Sequence, residues 1–387
     1  MLPFLDQDQL SLRSRIRDWT EKNLFGRTDQ RQDVEVEARE LVRQLGSAGF
    51  LTYTVPGTFD GTREKVQARD LCILREELSR GSALADTMFA IQALGSYPIT
   101  LFGTEEQKKL YLPSIAKGTA IAAFALTEPD AGSDIAALQT RALRRGKEYS
   151  LTGTKSFISN AGIADSYVVF ASTSPEKKNK GISAFVVDAS APGLVVKERT
   201  QVISPHPIGV IAFENCVVPE NSLLGNAGDG LQIALGTLDV LRCTVGAAAL
   251  GFAQRAMEEA VDHSRKRRQF DRPLTEFQGI QFKLAEMATE LEAARLLVYQ
   301  AAWAHDSGAA DAKVKSSMAK LFATEAAQRI VDQALQIHGG MGVVVGSVVE
   351  RLYRDVRALR IYEGTSEIQK IVIARELIKP RGVKGER

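Results

Sequence analysis

The chain of 387 residues sets 49 lysines and arginines against 47 aspartates and glutamates, a formal net charge of +2, and is 44% hydrophobic and 25% charged. So even a balance excludes the basic footprint of a nucleic-acid binder, and the apolar content suffices for the two or three packed domains expected at this length. Cys72, Cys216 and Cys243 are too few and too scattered for a disulfide framework or a zinc site, and suit a reducing compartment.

The opening Met-Leu-Pro-Phe-Leu-Asp-Gln-Asp has neither a basic n-region nor an apolar h-region. No apolar run reaches the ~20 residues of a membrane span. The expectation is a soluble cytoplasmic protein. Residues 1–120 read as an all-α N-terminal domain. Leu10, Leu12, Ile16 and Trp19 share an approximate face, and Val34 to Ala48 carries Leu41, Val42 and Leu45 at helical spacing before Gly49. Arg69 to Arg80 reads as a further helix, apolar at Leu71, Ile73 and Leu74 and polar at Glu76, Glu77 and Arg80. Thr104 is an N-cap candidate, with Gln107 three residues on.

Residues 121–229 change character. Ile121–Leu126, Tyr149–Thr152, Tyr167–Ala171, Ile182–Val187, Leu194–Val196 and Val210–Phe213 are short, β-branched or aromatic, and separated by turn residues, which predicts an antiparallel sandwich or barrel. Ser174–Gly181 is polar and ends in glycine, as an exposed tip would. In residues 230–387 the helical period returns over Leu231–Arg268, Thr275–Ser307 and Ala312–His338, far longer than the ~11-residue average helix. These segments predict an antiparallel four-helix bundle. The fold class expected is therefore α+β and multidomain, helical, then β, then helical.

Five motifs could carry chemistry besides the C-terminal one. Thr127-Glu-Pro-Asp-Ala-Gly-Ser-Asp134 follows an apolar strand, and leaves backbone donors and hydroxyls at a strand end for a planar polar ring or an anion. In Lys155-Ser-Phe-Ile-Ser-Asn-Ala-Gly162, Phe157 and Ser159 share one face of an extended segment and could flank an aromatic cofactor. Asp239 and Arg242 are i, i+3 neighbours, either a surface ion pair or a grip on a polar ligand. Arg265-Lys-Arg-Arg-Gln-Phe270 is a basic helix end that could offset the helix dipole or hold a pyrophosphate. Gln336-Ile-His-Gly-Gly-Met-Gly342 ends a helix in glycines, by C-capping or for close backbone approach. Most informative is Ile361-Tyr-Glu-Gly-Thr-Ser-Glu-Ile-Gln369, where a single carboxylate, Glu363, is followed at once by a helix breaker and two hydroxyl residues. A base beside amide donors is what proton abstraction next to a carbonyl requires.

Taken together, T-E-P-D-A-G-S-D, R-x-Q-F, Q-I-H-G-G-M-G and I-Y-E-G-T-S-E-I-Q, in that order and spread along the helix–β–helix plan, resemble the acyl-CoA dehydrogenase family. The resemblance implies FAD between the β domain and the bundle, with Leu126, Thr127, Phe157 and Ser159 at the isoalloxazine and Ser133 near both FAD and CoA. It puts Arg267, Gln269 and Phe270 against a neighbouring subunit's FAD, and Gln336, Gly340, Thr365 and Glu367 in the dinucleotide site. Asp239, Arg242, Tyr362, Gly364 and Arg375 would face the acyl-CoA substrate. Glu363 would take the α-proton while the β-hydrogen leaves as hydride to flavin N5, and electrons would pass to an electron-transferring flavoprotein. A homotetramer, a dimer of dimers, is implied as well, in fatty acid or organic acid metabolism. Some branches carry the base on the bundle helix; here Leu241 stands there, which favours Glu363. An acyl-CoA oxidase or a non-catalytic flavin or acyl-CoA binding homologue are the alternatives. Three departures stand out: Phe157 where the family usually has Trp, Val202-Ile-Ser-Pro-His-Pro-Ile-Gly209 before the last strand, and Asp271 where glycine is common.

Overall fold

The computed structural model describes residues 4–26 and 33–379. Five helices come first: α1 (Gln7–Asn23), α2 (Val34–Ser47), α3 (Ala68–Gly81), α4 (Ala83–Phe102) and α5 (Glu105–Ala116). The expected Thr104 cap forms a full capping box with Gln107, and Asp6 forms another with Gln9 at α1. Gly49, at φ +75°, turns the chain just after α2. The polar positions Glu76 and Glu77 of α3 are buried ionic joints. Glu76 accepts from Arg13 (3.3 Å), Arg295 (3.1 Å) and Tyr299 (2.6 Å), and Glu77 accepts from Arg17 (2.7 Å), tying α3 to α1 and across to the C-terminal domain.

The β domain comprises β1 (Ala122–Ala125), β2 (Arg141–Arg145), β3 (Glu148–Ser159), β4 (Ser166–Ser172), β5 (Ile182–Asp188), β6 (Leu194–Arg199), β7 (Ile208–Pro219) and β8 (Leu223–Leu224). They form one sheet in the order β6-β7-β3-β2-β4-β5-β8, with β1 paired to β4. Five pairings are antiparallel, as expected; β1 with β4 and a short β2–β4 contact are parallel. Tyr149–Thr152 and Val210–Phe213 are parts of two long strands of 12 residues each. β2, Arg-Ala-Leu-Arg-Arg, carries no strand signal because only Ala142 is buried. In β3 the register shifts between Lys155 and Ile158, and Phe157 takes φ +54° there. The regular extension assumed for Phe157 and Ser159 is thus broken by a bulge, although Ile158 between them is buried while Phe157 remains exposed.

The last domain holds α6 (Gly230–Lys266), a hairpin of β9 (Arg268–Gln269) and β10 (Arg272–Pro273), α7 (Gln278–Asp306), α8 (Ala312–His338), α9 (Val348–Arg357) and α10 (Ser366–Ile378). α6, α7 and α8 pack side by side, with α9 and α10 against α8. Contrary to the reading of the sequence, α6 contains a window apolar and long enough to cross a membrane, but 72% of that window is buried inside the molecule. Its run of Gly, Ala, Val and Leu is the bundle's central rod, packed against α3, α7 and α8. Cys72 of α3 and Cys243 of α6 meet here at 4.0 Å as free buried thiols.

Candidate active site

Glu363 sits where the helical path stops, between Ala358–Arg360 and α10, whose N-cap Thr365 accepts the Ile368 N–H at 3.3 Å. Glu363 adopts φ +52° and Gly364 φ +91°. A left-handed glutamate costs on the order of 1–3 kcal/mol and persists only if its surroundings enforce it. They do. The Lys320 ammonium on α8 donates to the Gly364 carbonyl at 2.6 Å, the Gln369 amide donates to the same oxygen at 2.8 Å, and Glu325 accepts from Ser366 at 2.6 Å and from Arg360 at 2.8 Å. A Cβ at Gly364 would stand 2.6 Å from Nε2 of Gln369, so glycine is required twice over.

The Glu363 carboxyl points inward. Its Oε2 is sealed from solvent and has no hydrogen-bond partner among the described residues. The narrow cleft it enters is bordered by Leu71, Arg75, Phe89, Leu94, Leu241 and Thr244. Burial raises the Glu363 pKa above the ordinary carboxylate value, against the opposing pull of Arg75, Lys320 and Arg242. Burial likewise brings Lys320 down to about 8, against the pull of Glu363. Asp239 and Arg242 do form an ion pair, at 2.8 Å, and Lys313 reaches the second oxygen of Asp239 at 3.3 Å. Arg242 is buried and close enough to act on Glu363, so the pair belongs to the wall of this site rather than to the surface. Tyr362 lies beside Arg75.

On the β side, the first two motifs are joined by a buried ion pair. Lys155 donates to Glu128 at 2.7 Å and to the Leu126 carbonyl at 3.0 Å; Glu128 also accepts the Gln139 and Thr140 N–H groups at 2.6 and 3.0 Å. Burial brings Lys155 down to about 8 even so. Burial alone would raise Glu128, but Lys155 and the hydrogen bonds outweigh it and hold it low. The Ser156 N–H donates to the Thr127 carbonyl at 3.0 Å, so Leu126, Thr127, Phe157 and Ser159 are fixed on one frame. Ser133 lies farther out, exposed.

The remaining predicted residues stand apart. Arg267, Gln269 and Phe270 follow the C-terminus of α6, and Gln336 and Gly340 end α8; stacking of His263 on His338, centroids 4.3 Å apart, joins the two ends. All five are exposed. From Lys320 to His338 is 18 residues of α8, roughly 27 Å at 1.5 Å per residue. One chain therefore does not bring this group to Glu363. Thr365 and Glu367 flank Glu363, with Glu367 exposed, while Arg375 is exposed farther along α10.

The N-terminal, middle and C-terminal domains of the acyl-CoA dehydrogenase family match residues 6–119, 123–216 and 228–378. An acyl-CoA dehydrogenase of Bacillus subtilis is 42% identical over 375 residues, 96% of this chain and 98% of the relative. The chain belongs to this family. Among solved structures, a chain in that of the electron transferring flavoprotein of Acidaminococcus fermentans superposes with a TM-score of 0.93 at 38% identity, covering 97% of this chain and 99% of that one. Butyryl-CoA dehydrogenase of Megasphaera elsdenii gives 0.91 at 35% identity, covering 97% and 99%.

FAD is the cofactor of this dehydrogenase, and the residues present fit it. Phe157 offers a ring 62% exposed on its bulge. Gly339 and Gly340 leave open space where a Cβ would stand, and Arg267 is exposed close by. The departures from the family pattern acquire physical reasons. Asp271 has φ +63° and follows Phe270 at φ +49°, a conformation glycine takes freely and aspartate tolerates. The Pro-His-Pro segment docks on α9 through Ser204, which donates to Asp355 at 2.7 Å. His206, its pKa lowered by burial, places Nε2 3.1 Å from the Ser159 hydroxyl, so the altered loop backs a predicted flavin contact. Reasoning from sequence missed Arg75 and Lys320, and gave no role to Glu128, Lys155 and His206 inside the segments it singled out. One signal was available: Arg75 continues the apolar stripe of Leu71, Leu74 and Leu78, a core position for a charge.

Proposed function

We propose that this dehydrogenase desaturates a short acyl-CoA thioester between its α and β carbons, with Glu363 as the base. One observation carries the assignment: the Glu363 carboxyl is forced by a strained, well-braced turn into a cleft where one oxygen is dry and unpartnered. A carboxylate so placed is desolvated, which strengthens it as a base. FAD, when bound, supplies the hydride acceptor. The chain's own part is to orient and to exclude water. Leu71, Phe89, Leu94 and Leu241 exclude water from the acyl chain, and the Glu363 N–H is the candidate donor to the thioester oxygen as charge develops. Arg242, through Asp239, and the exposed Arg375 are the candidate contacts for the CoA portion.

The likeness to a butyryl-CoA dehydrogenase supports a short acyl group. The likeness to a chain solved with an electron transferring flavoprotein supports that class of acceptor. The exposed Arg267–Phe270 segment, distant from Glu363, supports a dimer of dimers in which this segment meets a partner's FAD. Free buried thiols support a reducing, cytoplasmic setting. The decisive experiment is anaerobic titration of the yellow protein with straight-chain acyl-CoAs, following flavin absorbance. Bleaching by short acyl-CoAs, absent in Glu363→Gln although that variant still binds them, is the expected result. Near-normal bleaching of the variant would make another residue the base.

A further inference from the structure

The acyl cleft contains a guanidinium. Arg75 of α3 borders the same small void as Glu363, and both Arg75 and its partner Asp86 are almost wholly buried. The Asp86 carboxylate accepts Nε and Nη2 at 2.8 Å each, and the Thr244 hydroxyl accepts Nη1 at 3.0 Å while donating its own proton to the Leu241 carbonyl at 2.6 Å. A guanidinium has five N–H groups. Three are engaged in this way and the Tyr362 hydroxyl draws on the guanidinium as well, so at least one N–H remains for a ligand. The other walls, Leu71, Phe89, Ala90, Ala93, Leu94 and Leu241, are hydrocarbon.

Packing a plain alkyl chain gains nothing from this pair, whose other visible effect is to pull the Glu363 pKa down. Desolvating two charges costs several kcal/mol per ion, and apolar residues in their place are commonly neutral or stabilising. Arg75 instead gives the cleft hydrogen-bond donors in an otherwise apolar wall. Because Asp86 already cancels its charge, an added carboxylate would put a third negative group beside Asp86 and Glu363. An uncharged oxygen meets no such penalty.

We infer that the acyl group of this enzyme is short and ends in an uncharged hydrogen-bond acceptor, a hydroxyl or carbonyl oxygen, that docks on Arg75. This rests on the acyl-CoA reading above and names its substrate class. The test uses three five-carbon thioesters that differ only at the far end: pentanoyl-CoA, 5-hydroxypentanoyl-CoA and glutaryl-CoA, ending in methyl, hydroxyl and carboxylate. Flavin bleaching by the FAD-loaded enzyme gives kcat/KM for each. The hydroxyl compound should exceed pentanoyl-CoA by about tenfold or more, the scale of one hydrogen bond to a charged group, and should exceed glutaryl-CoA as well. Arg75→Met combined with Asp86→Ala, which leaves no orphaned charge, should invert the order in favour of pentanoyl-CoA. A pair that merely braces helices would lower stability without moving that ratio. Equal rates or a pentanoyl preference in the unaltered enzyme, a glutaryl preference, or an unchanged ratio in the folded double variant would each overturn the inference while leaving the dehydrogenase standing. If the double variant does not fold, the order in the unaltered enzyme decides alone. Absence of bleaching by these three and by butyryl-CoA would overturn the parent reading too.

Discussion

Around Glu363 the chain closes upon itself. Leu71, Phe89 and Leu241 are buried, one carboxyl oxygen is dry, and the turn is braced from α8 and α10. At the far end of the bundle the reverse holds: Phe270 is 86% exposed, Val345 84% and Met341 60%. Large apolar side chains left in water mark surfaces that something covers. The contrast separates what one chain finishes alone from what needs a cofactor and a second copy. If Glu363 is the base, the acid–base half of the site is intrinsic to the fold. The dinucleotide half is open, and on the present reading it is completed on assembly.

Experiments can break or sharpen that contrast. The largest effect belongs to the closed half: Glu363→Gln should slow flavin reduction by about 10²–10⁴-fold, the range attributed to a positioned general base, while the dissociation constant for acyl-CoA changes little; stopped-flow absorbance and calorimetry check the two parts. Lys155→Met strands Glu128 in the β domain and should cost about 3–5 kcal/mol of stability, read as a lowered urea midpoint. At the open end, Arg267→Ala should weaken FAD retention by about 1.5–3 kcal/mol, the worth of a hydrogen bond to a charged group, and Phe270→Ala should loosen the assembly, seen as lighter species in sedimentation. A monomer that keeps FAD tightly would erase the distinction between the halves. The smallest effect is one of pH. Because burial raises the Glu363 pKa, the acid limb of flavin reduction should lie above 4.5, activity being lost as pH falls through the raised value and the carboxylate takes its proton. Lys320→Met removes a charge that opposes that rise, so the limb should move to still higher pH.

The layered plan of helices, sheet and bundle was legible because long stripes such as Leu284, Met287, Leu291 and Val298 declare their period, and Ala312–His338 ends where its glycines begin. Glu363 was legible for a local reason, a helix stop beside a lone carboxylate. Its left-handed backbone was not, and neither were those of Phe157 and Phe270. A non-glycine residue gives no local sign of positive φ when distant groups impose it, as Lys320 and Gln369 do at this turn. Arg75 escaped notice because its partners, Asp86 and Thr244, come from two other helices, and only the crossing of α3, α4 and α6 brings them together. The β2 strand was hidden by its arginines, because an edge-like, mostly exposed strand needs no apolar alternation.

α8 is a rigid rod that fixes the spacing between the Glu363 end and the Arg267 end of each chain. If the second end serves a neighbour, every complete centre is assembled from two polypeptides. Two crippled alleles, one altered at Glu363 and one at Arg267, would then complement each other when expressed together. Mixed dimers would contain one centre with both defects and one with neither, so each mixed dimer would have about half the activity of an unaltered one, where either allele alone has little.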